Sequence, residues 1–165
     1  RITTIDIAKE NLKFSGAHFT IFSATERERL HGHNFKVRAS VTAGVDDNGM
    51  CFNYQEIKNR LRAVCETLDE FLLLAGQSPH LQIQENTSSF LVHFNNDQMQ
   101  FLKSDTLVLP IKNSTVEEFS AYILDKLINK DRFFLDNDVH SLCIGVSSGD
   151  GQWGSSSWQM PKSAA

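Results

Sequence analysis

The sequence predicts an α+β domain built on an antiparallel sheet, and three observations predict it. Two stretches carry apolar residues at helical spacing: Ile57, Leu61, Val64, Leu68 and Phe71, then Val116, Phe119, Ile123 and Leu127. Other stretches alternate apolar and polar residues with a period of two, the pattern of a half-buried strand. The order is two strands, a helix, a small β region, a helix and a strand, which is not the regular strand–helix alternation of a parallel sheet.

Phe14 to Phe22 is rich in aromatic and β-branched residues and reads as the first strand. In the second, Phe35, Val37, Ala39, Val41 and Ala43 alternate with Lys36, Arg38, Ser40 and Thr42. Asp46-Asp47-Asn48-Gly49 is a turn cluster. Asn53 then caps a helix running to about residue 72, with Glu56 as a capping-box partner. Leu81 to Gln84, Phe90 to Phe94, Met99 to Phe101 and Leu107 to Leu109 form a small β region, with a turn at Asn95-Asn96-Asp97. The second helix opens at Ser114-Thr115-Val116-Glu117-Glu118, and Leu142 to Val146 is the last strand. The expected domain spans residues 1–153, with a β insert near 81–109, and residues 154–165, rich in Ser, are expected to form a mobile tail.

At 165 residues the chain is one domain, long enough to bury a core. Hydrophobic content of 41% and charged content of 22% are those of an ordinary globular protein. A formal net charge of -4 argues against a nucleic-acid surface. No apolar run reaches transmembrane length and no secretory signal is visible, although a start at Arg1 leaves room for a trimmed leader. Cys51, Cys65 and Cys143 are far apart and odd in number, which points to a reducing, cytoplasmic setting without disulfides.

The most informative motif is Leu30-His31-Gly32-His33-Asn34-Phe35. His31 and His33 share the apolar face of their strand, and two inward imidazoles suit a bound metal. If the first strand pairs antiparallel with the second, His18 lies across from them. Three neutral imidazoles with one open position describe a catalytic zinc site. Imidazole also suits copper, iron and nickel, so ligand type leaves the metal open.

Gly16-Ala17-His18-Phe19, His31-Gly32-His33-Asn34-Phe35, Leu68-Asp69 and Ser114-Thr115-Val116-Glu117 occur in the order and approximate spacing of the 6-pyruvoyl-tetrahydropterin synthase family. That family includes the 6-carboxytetrahydropterin synthases. The resemblance covers about residues 5 to 153. It implies the tunnelling fold (T-fold), in which a sheet backed by two helices closes into oligomeric β-barrels, as homotrimers or homohexamers. It implies Zn²⁺ on His18, His31 and His33 and a pterin substrate, usually dihydroneopterin triphosphate, bound between subunits.

In the main branch of the family the base is a Cys shortly before the His-Gly-His pair, helped by an Asp-His pair at the end of the first helix. This chain has no Cys between Ala24 and Leu30. Glu28 stands where the Cys-lacking branch carries a glutamate, and that branch resembles this chain in its Glu-basic-Leu-His-Gly-His run. It is associated with release of 6-hydroxymethyl-dihydropterin. On residue type alone, Glu26 and Glu28 also read as solvated charges alternating with Arg27 and Arg29. The Asp-His pair reads Asp69-Glu70 here, and the family's last-strand acid falls at Ser147-Ser148. His80 is a candidate for the vacant relay position. The catalytic candidates are therefore Glu28, Asp69 and Glu70.

The resemblance assigns Thr115 and Glu117 to the substrate. A carboxylate can accept the paired N–H donors of a pterin edge. Ser114 and Glu117 also form a capping-box pair, with Glu118 and Thr115 as the alternative cap. Two function classes follow: a zinc-dependent pterin lyase or synthase, and a zinc-containing pterin- or purine-binding member of the fold with altered or no catalysis. A cupin-like barrel is disfavoured by the two helices between the strands.

Overall fold

A fourteen-residue strand, His31–Gly44 (β3), organises the fold. The computed structural model describes residues 1–162. Two short strands lie end to end along one side of β3, both antiparallel to it. Lys13–His18 (β2) pairs with residues 31–36, and Ile2–Ile7 (β1) with residues 39–44. On the other side runs Val139–Gly149 (β9), followed by Gln152–Gln159 (β10), again antiparallel. Beyond β2 the sheet continues through Phe71–Ala75 (β4) and Thr106–Leu109 (β8), and these two pairings are parallel. Among the described residues the sheet has seven strands.

The antiparallel sheet expected from the sequence thus holds around β3 but gives way to parallel pairing at one end. Parallel neighbours need long crossovers. Helix Tyr54–Leu68 (α1) lies in one, between β3 and β4. The other, between β4 and β8, carries a separate three-stranded antiparallel sheet of Leu81–Glu85 (β5), Ser89–Phe94 (β6) and Asp97–Leu102 (β7).

Several elements differ from the sequence reading, among them strand β1, which it does not anticipate. The first helix stops at Leu68, so Phe71 belongs to β4. Glu70, at φ 64, breaks the helix between them. β4 is buried almost throughout, so its apolar run lacks the alternation that marks a strand. The first strand stops at His18, and residues beyond it form a loop with one isolated bridge, Ile21 to Arg27. The expected mobile tail from Gly154 is corrected by β10, which reaches Gln159. Its Ser156 hydroxyl hydrogen-bonds that of Ser120 on helix Val116–Lys130 (α2) at 2.8 Å, and Trp158 packs near Phe134 of the short helix Phe133–Asp136 (α3). Residues 163–165 of that expected tail lie outside the described residues.

The main core lies between the sheet and helices α1 and α2. Phe14, Phe35, Val41 and Ile144 from the strands meet Ile57, Leu61, Phe119 and Ile123 from the helices. Phe14, Phe35 and Phe119 form a ring cluster, with centroids 5.0 to 5.9 Å apart. Truncating one such buried ring to Ala typically costs about 3–5 kcal/mol. On the opposite face the β5–β7 sheet covers only the β4 end, packing Val92 and Phe94 on Phe19, Ile21, Leu72 and Leu74. Asn53 caps α1 by accepting from the Gln55 amide at 3.0 Å, while Glu56 turns to Arg60 instead of back to the cap. Among the described residues no helix is long and apolar enough to cross a membrane.

Candidate metal and substrate site

The β2–β3 ladder sets His18 directly opposite His31, and Gly16 opposite His33. Residues two apart on β3 share a face, so all three rings meet. Their centroids are 4.7, 5.1 and 4.8 Å apart, and one ring nitrogen from each lies within 4.8 Å of the others. Gly32 makes the close approach possible, since a Cβ there would sit 3.2 Å from the Gly16 carbonyl oxygen. Phe35 forms the floor, 5.4 Å from the His18 ring and 5.5 Å from His33.

Hydrogen bonds orient the rings. His18 Nδ1 lies 2.7 Å from the Ser114 carbonyl, and His31 Nδ1 lies 2.6 Å from the Arg29 carbonyl. A carbonyl only accepts, so each Nδ1 carries the proton and each Nε2 presents a lone pair. His31 Nε2 is 3.0 Å from His33 Nε2, and His18 Nε2 is buried without a partner among the described residues. A tetrahedral zinc with bonds of about 2.0–2.1 Å places its nitrogens roughly 3.3 Å apart. The orphaned His18 nitrogen, the close Nε2 pair and the carbonyl-held tautomers therefore fit a zinc ion. Burial pushes the His18 pKa below its usual value, the Ser114 hydrogen bond opposes this, and the neighbouring His31 and His33 push it further down. The neutral form is the one that binds metal.

Glu28 enters from the loop after β2. Its Oε1 accepts from the Thr20 amide at 2.9 Å, and its own amide donates to the Thr20 carbonyl at 2.8 Å. The other oxygen stands 3.9 Å from His31 Nε2. Burial alone raises this carboxyl's pKa, but the Thr20 hydrogen bonds and the nearby imidazoles outweigh it and leave it below the ordinary value. Glu28 is therefore ionised at neutral pH. Glu26 is exposed. The two glutamates that look alike in sequence occupy different environments.

Asp69 and Glu70 both hold Ser15. Asp69 Oδ1 accepts from the Ser15 amide at 2.8 Å, and the Glu70 amide donates to the Ser15 carbonyl at 2.7 Å. One Asp69 oxygen is thus spent on β2. Glu70 lines a cleft of about 700 Å³ with Gly16, His33, Asn34 and Gln100. His80 is exposed on the turn before β5, where its amide donates to the Ser78 hydroxyl at 3.2 Å, and it is not among the residues lining that cleft. Ser147 is buried, with its hydroxyl donating to the Gly149 carbonyl.

At the start of α2 the cap is Thr115, whose hydroxyl accepts from the Glu118 amide at 3.3 Å. Ser114 turns away, donating to the Leu73 carbonyl at 2.8 Å, and Glu118 accepts from the Lys112 amide at 2.6 Å. The Ser114–Glu117 capping box is not formed. The Glu117 carboxylate is exposed and makes no hydrogen bond or ion pair among the described residues. Gly154 of β10 sits against this turn, where a Cβ would be 2.9 Å from Val116 Cγ2 and 3.1 Å from the Glu117 nitrogen. Sequence reasoning missed Thr20, Ser114 and Asn113 as supports. Asn113 grips both backbone groups of Ile21, at 3.1 and 2.8 Å. The Ser114 and Asn113 contacts bridge residues 96 and 92 positions apart, and the Thr20 contact closes a loop, so none of them leaves a local signal.

The model of the family described as 6-pyruvoyl tetrahydropterin synthase matches residues 6–153. The chain belongs to this family. The crystal structure of the Plasmodium vivax 6-pyruvoyl tetrahydropterin synthase superposes with a TM-score of 0.91 at 31% identity, covering 97% of this chain and 99% of that one. Two variants of the P. vivax synthase, with its catalytic glutamate replaced by Ala or Cys, superpose at a TM-score of 0.92 and 29% identity with the same coverage. A candidate 6-carboxy-5,6,7,8-tetrahydropterin synthase of Methanocaldococcus jannaschii is 23% identical over 144 residues, 86% of each chain. This synthase-family chain therefore has the tunnelling fold, with a histidine cluster at the centre of its main sheet.

Proposed function

We propose that this chain is a zinc-dependent lyase acting on the side chain of dihydroneopterin triphosphate or a close relative, with Glu28 as its base and 6-hydroxymethyl-dihydropterin as its pterin product. One observation carries the reading: the Glu28 carboxylate, clasped by Thr20, stands 3.9 Å from His31 Nε2, and by the family resemblance it takes the place of the main branch's Cys. The P. vivax synthase, whose catalytic residue is a glutamate, supports it.

His18, His31 and His33 would hold the zinc, which when bound supplies Lewis acidity to the oxygens of the substrate side chain. Glu28 takes the proton from the hydroxyl on the second side-chain carbon. The bond between the first and second carbons then breaks, giving an aldehyde and a carbanion spread over the pterin ring. A proton returned to the first carbon completes the hydroxymethyl group. Glu70, in the cleft beside His33, is the second acid–base group. Asp69 holds the strand beneath it. Glu117 accepts the paired N–H groups of the pterin edge, and the Thr115 hydroxyl, already an acceptor in its cap, keeps a proton to donate. Copies of the chain close the sheet through its edge strands β10 and β8, as a homotrimer or homohexamer, placing the site between subunits.

The second reading is a member that binds a pterin or purine without turnover. It is favoured by the loss of the relay His to Glu70 and by the serines at about 147–148, where the family carries its last-strand acid, Ser147 being tied to Gly149. Incubating zinc-loaded protein with dihydroneopterin triphosphate and identifying the pterin formed decides between them. 6-Hydroxymethyl-dihydropterin supports the lyase, and unchanged substrate on protein that binds it supports the second reading.

A further inference from the structure

Arg27 is not the solvated charge that its place between Glu26 and Glu28 suggests. Its side chain is 21% exposed. Nη1 donates to the Glu28 carbonyl at 3.0 Å, and Nη2 donates to Asp97 Oδ2 at 3.1 Å. The guanidinium lies over the rings of Phe19, 5.3 Å away, and Phe94, 5.8 Å away. Phe19 belongs to the loop that carries Glu28. Phe94 and Asp97 flank the turn between β6 and β7. One side chain thus fastens the loop to the small sheet at the residue next to Glu28. Only a planar fork can donate in two directions while stacking on aromatic faces, so Lys cannot replace it.

The loop is built to transmit that hold. Its two arms meet at the Ile21–Arg27 bridge, and the Phe22 amide donates to the Glu26 carbonyl at 2.8 Å. Thr20 then receives Glu28 through main chain and carboxylate together. Displacing Arg27 from the β5–β7 sheet would move this hairpin, and with it the distance from Glu28 to His31. The first arm of the hairpin is held separately, by Asn113 on both backbone groups of Ile21, so the arm that carries Glu28 depends on Arg27, and Phe22, beside the turn, is 65% exposed.

We propose that Arg27 is a positioning residue, and that the β5–β7 sheet holds Glu28 against the histidine cluster through it. The proposal rests on the reading of Glu28 as base. It is tested with Arg27→Lys, Arg27→Ala and the mild Asp97→Asn, each alone and in a Glu28→Gln background. Amide exchange at Thr20 and Glu28, followed in zinc-free and zinc-loaded protein, should speed up about tenfold or more in the Arg27 variants. Turnover of dihydroneopterin triphosphate should fall about 10–100-fold in kcat, as expected for a displaced catalytic group, with KM moving less. In the Glu28→Gln background Arg27→Lys should cost less than about twofold more, since both act on one group. Unchanged exchange at Thr20 and Glu28, or an equal loss in both backgrounds, would overturn the proposal. If Glu28→Gln alone turns over like the native protein, the base assignment falls, and the exchange measurement still decides whether Arg27 holds the loop.

Discussion

His18 and Ser114, 96 positions apart, are joined by a 2.7 Å hydrogen bond from the imidazole Nδ1 to the backbone carbonyl. Ser114 is itself held by its hydroxyl on the Leu73 carbonyl. The start of α2 and the middle of β4 thus set the tautomer of a buried ring on β2. Such outer partners usually change metal affinity about 10–100-fold when removed. Ser114→Ala keeps the carbonyl and loses only its anchor, so zinc affinity should drop about tenfold, measured by competition with a chromophoric chelator. His31→Ala should lose stoichiometric zinc altogether by metal analysis.

Glu28→Gln should keep fold and zinc and lose about 10²–10⁴ in turnover, the usual loss on removing a general base. The amide has the same shape but no basic oxygen pair, so pterin affinity should change little. Glu26→Gln, exposed two residues earlier, should turn over like the native protein. Equal rates for Glu28→Gln and native protein would refute the assignment.

The histidine site was legible because strand parity is a local property. His31 and His33 share a face whatever the rest of the chain does, and antiparallel pairing brought His18 directly opposite His31. β4 was not legible, since burial on both faces removed the alternation that distinguishes a strand from the end of a helix. β10 was hidden by its Gly-Ser composition, which suits a tail until Ser156 meets Ser120 and Gly154 meets the backbone of α2. The difference between Glu26 and Glu28 depends on Thr20 across a loop. No spacing rule anticipates a contact of that kind.

Cys65 lies on the buried stripe of α1, and burial, reinforced by Asp69 and Glu66, pushes its thiol up to about 12. The thiolate is the reactive form, so this Cys should resist iodoacetamide in the native protein at pH 8 and react once the protein unfolds. Peptide mapping after a timed pulse checks this. The native state also holds a proton here that the unfolded chain releases above its ordinary value of 9.0. This group's contribution to stability is thus fully present below pH 9 and is lost as pH rises towards 12. Cys65→Ser should flatten that part of the pH–stability profile.

The uncovered edges of β10 and β8 set the expected assembly. Sedimentation at micromolar concentration should give a trimer or hexamer. A stable monomer would count against a site shared between subunits.

Glu117 and Gly154 together test the pterin contact. Glu117→Gln replaces two acceptors by one acceptor and one misplaced donor, leaving a pterin N–H unpaired. It should weaken binding of the pterin first, raising KM by about tenfold or more with kcat changed less, the reverse of Glu28→Gln. Gly154→Ala keeps the Glu117 side chain but drives a methyl to within 2.9 Å of Val116 Cγ2 and 3.1 Å of the Glu117 nitrogen. The first turn of α2 must then shift, moving Glu117 and straining the Ser114 carbonyl that holds His18. Gly154→Ala should therefore weaken both pterin and zinc binding, whereas Glu117→Gln should weaken pterin binding alone. Calorimetric titrations with each ligand separate the two outcomes, and native pterin affinity in Glu117→Gln would remove this carboxylate from the site.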